Sequence, residues 1–114
     1  MKVVLLANQN WGIVAIETLR KCDIEILKVF THSISMDPND SVWYDSVKKK
    51  CEEYKIPVEE RSTLQNQDIE EIKKMKPDIL FSINWRRLIT KELIEIPKHG
   101  CINIHPSLLP NYRG

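Results

Sequence analysis

Residues 3–7, Val3-Val4-Leu5-Leu6-Ala7, are a continuous apolar run. A run of this length, with β-branched members and no alternation, predicts a strand buried on both faces. Asn8-Gln9-Asn10 breaks it. Over residues 11–22 the apolar positions fall at 11, 13, 14, 16 and 19, with Ala15 among them. That spacing predicts an amphipathic helix, with Asn10 as its candidate cap. Residues 24–31 form a second strand pattern, interrupted only by Glu25 and Lys28. Strand, helix and strand at this spacing make a βαβ unit, expected to cross over right-handed.

The rest of the chain repeats the alternation. Residues 32–41 are mostly polar and carry Asp37-Pro38-Asn39-Asp40, good turn chemistry for a loop. Residues 42–54 place apolar or aromatic side chains at 42, 43, 44, 47, 51 and 54, a second helix that Asp40 or Ser41 could cap. Ile56-Pro57-Val58 predicts a short strand, towards a sheet edge because Pro57 cannot donate a hydrogen bond. Residues 68–75 predict a third helix, with Ile69 and Ile72 facing inward and Pro77 ending it. Residues 78–83 read as a strong buried strand, and residues 88–94 as a short helix with Thr90 inside it. Pro97-Lys98-His99-Gly100 turns the chain into a last strand, residues 101–104. The fold class is therefore α/β: a Rossmann-like, open, mostly parallel twisted sheet with flanking helices. There are too few repeats for a closed eight-stranded barrel.

Composition narrows the function classes. The 114 residues suit one domain, and 42% apolar with 29% charged residues is an ordinary globular mixture. A net charge of +1 supplies no strong field, so nucleic acid is not an expected partner. Lys48-Lys49-Lys50 is followed almost at once by Glu52 and Glu53, the pattern of a solvated helix face. No apolar run approaches the length of a membrane span, and no membrane partner is expected. Cys22, Cys51 and Cys101 are odd in number and match no metal-ligand spacing. They are expected to be free thiols, and the location cytoplasmic.

In open α/β sheets ligands bind beyond the carboxyl ends of the strands. Three polar clusters lie at such ends: Asn8, Gln9 and Asn10; Asn84, Trp85, Arg86 and Arg87; and Asn103 to Ser107. They share one crevice if their strands are neighbours. The turn after the first strand holds one glycine, Gly12, where a dinucleotide cradle needs three, and no P-loop or His-Glu-x-x-His pattern is present. Ser107 lacks the flanking glycines of a nucleophile elbow. Asn103 and His105 stand two apart at a strand end, hence on the same face. Histidine exchanges protons near neutrality, and an asparagine amide can donate to an oxygen gaining negative charge. The pair suits attack on a carbonyl through a tetrahedral intermediate; a structural Asn and a packed His are the rival reading. His32 and His99 are expected at the surface of loops.

Asn103-Ile104-His105-Pro106-Ser107-Leu108-Leu109-Pro110, followed by Tyr112-Arg113-Gly114, resembles the signature of the formyltetrahydrofolate-dependent formyltransferases. That family includes enzymes acting on methionyl-tRNA, glycinamide ribonucleotide and amino sugars. Phe81-Ser82-Ile83-Asn84-Trp85-Arg86-Arg87-Leu88-Ile89 resembles most the sugar-nucleotide branch. The resemblance implies transfer of a formyl group from N10-formyltetrahydrofolate, as co-substrate, to a small-molecule amine, with a nucleotide-linked amino sugar expected. It implies that Asn103 polarises the formyl oxygen and that His105 stabilises the intermediate and shuttles a proton. Arg87, Leu88 and Ile89 would line the pterin pocket, and Ser107, Leu108, Leu109 and Pro110 would border the folate. Asn8, Gln9, Asn10, Gly12, Trp85 and Arg86 would face the acceptor, though core packing rivals ring stacking for Trp85. The family's catalytic aspartate normally follows some tens of residues later. Residues 1–114 would thus be the N-terminal part of a single catalytic domain, and alone are expected to give little or no turnover. Self-association, even a homo-oligomer, is expected where a sheet edge or apolar face is left uncovered. The alternatives are a methionyl-tRNA or glycinamide ribonucleotide formyltransferase-like piece, or a non-catalytic α/β piece.

Overall fold

A computed structural model describes residues 1–33 and 46–105. Nine elements alternate along it: β1 (Lys2–Ala7), α1 (Gln9–Lys21), β2 (Glu25–Thr31), α2 (Val47–Glu53), β3 (Val58–Glu60), α3 (Asn66–Met75), β4 (Ile79–Ile83), α4 (Lys91–Glu95) and β5 (Cys101–Ile104). The strands form one five-stranded sheet in the order β3-β2-β1-β4-β5, and every neighbouring pair is parallel. The α/β architecture read from the alternation is thus present.

β1 sits at the centre because, after Lys2, nothing on it tolerates water. Val3, Val4, Leu5, Leu6 and Ala7 are all fully buried. Strand periodicity sends them to two cores. Val3, Leu5 and Ala7 pack with Ile13, Ile16 and Leu19 of α1 and Val47 and Cys51 of α2. Val4 and Leu6 pack with Phe30, Leu80, Ile72 of α3, Leu93 of α4 and Trp85. The sheet is therefore the middle of three layers. Each fully buried large side chain contributes roughly 1.5–3 kcal/mol relative to exposure.

Several boundaries differ from the sequence expectations, α3 for instance starting at Asn66 instead of residue 68, and four of them have a visible physical reason. α1 starts at Gln9, and Asn8 rather than Asn10 takes the extended cap position. β1 ends against β4 through Asn8 N–H donating to Ile83 C=O at 3.1 Å, which fixes where the helix can begin. β3 follows Pro57 instead of containing it; the Pro57 carbonyl still accepts from Val29 N–H at 2.9 Å. The edge position expected for it is observed. Thr90 does not sit inside a helix of residues 88–94. Its hydroxyl accepts from Leu93 N–H at 3.3 Å, so it caps α4, which starts at Lys91. Within the described part, α2 is capped by Ser46, whose hydroxyl accepts from Lys49 N–H. The expected caps Asp40 and Ser41, and the first turn expected from residue 42, lie outside the described residues.

At Gly12 α1 comes close to β1 and α2. A Cβ there would stand 3.0 Å from the Ala7 Cβ and 3.1 Å from a Val47 methyl. Ile69 and Ile72 face inward as their spacing predicts, and Lys76, in the left-handed region, ends α3 before Pro77. Among the described residues no helix is long and apolar enough to cross a membrane. All three cysteines are free.

Candidate active site

The strand order puts β1, β4 and β5 side by side, so the polar residues after β1 and β4 meet and the end of β5 lies next to them. Asn8 N–H donates to Ile83 C=O, and Asn84 N–H to Ile104 C=O at 3.0 Å. Asn84 Nδ2 then reaches across to Gln9 Oε1 at 2.9 Å. Gln9 and Asn84 both have left-handed backbone, with φ of 57° and 56°. Asparagine tolerates that region better than most residues, and glutamine does not share its advantage. Two such residues at adjacent strand ends, tied side chain to side chain, hold the crevice floor in one conformation.

The register across the sheet assigns the faces. Phe30, Leu6, Ser82 and Asn103 form one row through the pairings β2–β1, β1–β4 and β4–β5. Asn103 therefore lies on the α3 and α4 face, and His105 follows one residue past the end of β5. Both side chains are exposed. Leu6 of the same row lines a cleft of about 390 Å³ on this face. One wall of the cleft is Thr63 and Leu64, after β3; the other is the segment from Trp85 to Leu88, after β4. Arg87 Nε donates to Ser62 C=O at 3.2 Å and ties the two walls at the rim. Leu88 is 96% exposed beside it, an apolar side chain facing the opening. Ile89 is half-buried and packs on the core beneath. Arg86 is exposed at the mouth, and with Arg87 places two guanidinium groups there. A part-apolar cleft of this size with cations at its mouth suits a flat heterocycle that carries an acidic tail.

Trp85 is placed differently from a freely stacking ring. It is 4% exposed and belongs to the core beneath the cleft. One face of its indole is covered by the His32 imidazole, with ring centroids 3.8 Å apart and planes 18° from parallel. His32 itself is not the surface residue its loop position predicts. It is 5% exposed, its Nδ1 stands 2.8 Å from Arg61 C=O, and its Nε2 accepts from Arg86 N–H at 3.2 Å. His99 is exposed as expected. The first wall is held in turn by a part-buried ion pair. Arg61 grips Asp68, which is 2% exposed, with Nε–Oδ2 at 2.9 Å and a second bond at 3.1 Å. Asp68 also accepts Gln65 N–H at 2.8 Å, fixing the start of α3. The Asp68 hydrogen bond is the main reason the Arg61 guanidinium is pushed above its ordinary pKa.

Asn8 is buried, Gln9 half-buried and Asn10 exposed on the near side of the crevice. Gly12 is buried between Ala7 and Val47, one turn into α1, where it serves helix packing. Ser107, Leu108, Leu109, Pro110 and Arg113 lie outside the described residues. Among the described residues, no group of three or more His, Cys, Asp or Glu side chains could hold a metal ion. Sequence reasoning missed His32, Arg61 and Asp68. Only the position of His32 just past the end of β2 could have flagged it, since strand ends of open sheets border ligand sites.

The opposite face carries a second, wholly different surface. Trp11, Val14, Phe81, Ile83 and Ile104 line an apolar groove of about 260 Å³ between α1 and the β4–β5 edge.

Comparison with known proteins bears on the family and the fold. The chain is 38% identical over 115 residues to the bifunctional polymyxin resistance protein ArnA of Wigglesworthia glossinidia brevipalpis. It is 34% identical over 116 residues to the methionyl-tRNA formyltransferase of Alkaliphilus oremlandii. Each alignment covers all of this chain, but only 17% of the first relative and 37% of the second. Among solved structures, glycinamide ribonucleotide transformylase 1 from Geobacillus kaustophilus superposes with a TM-score of 0.67 at 18% identity, over 99% of this chain and 62% of that one. That likeness shows a shared fold. The family model described as formyl transferase matches residues 1–114, and the chain belongs to that family.

Proposed function

We propose that this chain supplies the formyl-donor side and two catalytic groups of a transferase that moves a formyl group from N10-formyltetrahydrofolate to an amine. The observation that carries the reading is the placement of Asn103 and His105. Asn103 stands on the face of β5 that holds the cleft, with His105 one residue past the strand end, one strand from the Gln9–Asn84 pair. The donor's pterin would enter the cleft beside Arg87, Leu88 and Ile89, with its acidic tail towards the guanidinium groups at the mouth. The acceptor nitrogen attacks the formyl carbon, and the carbonyl oxygen takes up the charge. Asn103 donates a hydrogen bond to that oxygen as the tetrahedral intermediate forms. His105 carries a proton from the attacking amine towards N10. The bond from N10 to the formyl carbon then breaks and releases tetrahydrofolate.

The acceptor is the finer part of the proposal. The amino-sugar nucleotide rests on the likeness to the sugar-nucleotide branch, carried by the segment from Phe81 to Ile89, and neither curated relative is named for that acceptor. One relative is named a methionyl-tRNA formyltransferase, and the solved structure a glycinamide ribonucleotide transformylase. Acceptors of those two kinds therefore stand ahead of the sugar nucleotide. A net charge of +1 over these residues favours the small ribonucleotide over a polyanion.

The test is an assay of the full-length protein with N10-formyltetrahydrofolate and each of the three acceptors, read as tetrahydrofolate release. Transfer to one acceptor is expected. Asn103→Ala and His105→Ala should each lower kcat by about 10²–10³-fold, the usual worth of one oxyanion donor or one acid–base group. Full activity in either variant would remove that residue from the reaction. No transfer to any amine would overturn the reading.

A further inference from the structure

We infer that His32 is a positioning residue for the formyl-donor cleft, setting the spacing of its two walls through a neutral imidazole; the inference rests on the functional reading above. The walls come from distant parts of the chain. One follows β3 and the other follows β4. His32 lies at the end of β2 and touches both: Arg61 C=O through Nδ1, and Arg86 N–H through Nε2, 54 residues further along. A backbone carbonyl can only accept and a backbone N–H can only donate. The ring must therefore carry its proton on Nδ1 and present a bare Nε2. The partners on the two sides select that single tautomer. The imidazole plane also covers Trp85, whose other neighbours are the core side chains under the cleft. The backbone that leaves β4 at Asn84 in the left-handed region is thus fixed twice within three residues: Asn84 to Gln9, and Arg86 to His32.

This arrangement is costly to arrange for packing alone. An aliphatic residue would fill the same buried space without needing two polar partners. What the imidazole adds is a defined position for the Arg86 backbone. The next residues, Arg87 and Leu88, form the cleft wall, and Arg87 reaches back to Ser62 on the opposite wall. His32 fixes the inner end of the cleft and the Arg87–Ser62 bond fixes its rim. A donor that fits between the walls should bind less well when the inner tie is cut, while the transfer step itself, on Asn103 and His105, is left alone.

Two substitutions separate the tie from simple packing. Asparagine places its amide where Nδ1 lies, so His32→Asn can keep the Arg61 bond but leaves Arg86 N–H without its acceptor. Glutamine is one methylene longer and places its oxygen near Nε2, so His32→Gln can restore the Arg86 bond. Both lose the aromatic contact with Trp85 equally. In the full-length protein, His32→Asn should raise KM for N10-formyltetrahydrofolate, and Kd for the stable analogue 5-formyltetrahydrofolate, by about tenfold, the worth of one hydrogen bond. kcat at saturating donor should stay within about twofold, and His32→Gln should return KM and Kd most of the way. Amide exchange of the peptide spanning residues 84–90, read by mass spectrometry without ligand, should quicken in His32→Asn and recover in His32→Gln. Equal KM and equal exchange in the two variants would overturn the inference, as would a loss confined to kcat. If the wild-type protein neither transfers formyl nor binds 5-formyltetrahydrofolate, the functional reading fails. The exchange contrast then still decides whether His32 holds the wall.

Discussion

Asn84 is the residue on which the crevice floor turns. Its φ of 56° and its bond to Gln9 make two separable demands. Asn84→Gly keeps the backbone at ease and loses only the side-chain bond, so a cost of about 1 kcal/mol is expected. Asn84→Ala loses the bond and adds the left-handed penalty, so it should fall about 1–2 kcal/mol below Asn84→Gly in urea unfolding. Equal stability of the two variants would mean that the backbone there is not strained. Cys51 makes a second claim at this scale. It is fully buried, and desolvation pushes its thiol up to about 12, with a smaller contribution from Glu52. An acid whose folded pKa is raised favours the folded state below its unfolded pKa, and that stability drains away as pH climbs from the ordinary thiol value near 9.0 towards 12. At pH 8, the exposed Cys22 should react with a thiol reagent at once, whereas Cys51 should react only as fast as the protein opens. Prompt labelling of all three thiols in native protein would contradict this.

At the scale of elements, close packing makes the sharpest demand at Gly12. A Cβ at 3.0 Å from Ala7 and 3.1 Å from Val47 must push α1 away from β1 and α2. Gly12→Ala is therefore expected to cost about 1–3 kcal/mol by thermal or urea melts, even though alanine is the better helix former. A stabilised variant would show that the helix can shift freely. Thr90→Ala should cost about 1 kcal/mol through its lost cap, and loosen the start of α4. Elements of this kind were legible in the sequence wherever a single local pattern decided them. The apolar runs of β1 and β4 and the spacing of Ile69 and Ile72 each carry enough burial to dictate the outcome. Boundaries were less legible because hydrogen bonds from other elements set them. Asn8 caps α1 because β4 holds its backbone, and β3 waits until after Pro57 because a ring nitrogen cannot donate. The site divided the same way. Asn103 is on β5 and its face follows from period two, and His105 comes one residue past the end of that strand. His32 is polar, just past a strand, and buried by a tryptophan far along the chain. No local pattern contains that contact.

At the scale of the whole molecule, the two faces beyond β4 and β5 are unequal. One bears the cleft and Asn103; the other exposes Trp11, Val14 and Ile104 along the α1 groove and Ile102 on the same face of β5, each more than 40% accessible. Apolar surface of that kind beside an edge strand favours self-association. The 114-residue chain alone is expected to associate with rising concentration in sedimentation velocity, and Val14→Glu to weaken that association without lowering stability. A monomer at all concentrations would count against it. The strand order β3-β2-β1-β4-β5 has another consequence, for the birth of the protein. Of these five strands, the first to leave the ribosome is the middle one. Its partner on one side, β2, follows at once, but its partner on the other begins at Ile79. At ordinary rates of synthesis that gap lasts on the order of 4–15 s. Through that interval the nascent chain presents one open flank of its most water-averse segment. The folding race is therefore set by when β4 arrives, and a molecular chaperone that shields residues 3–7 would act in that window.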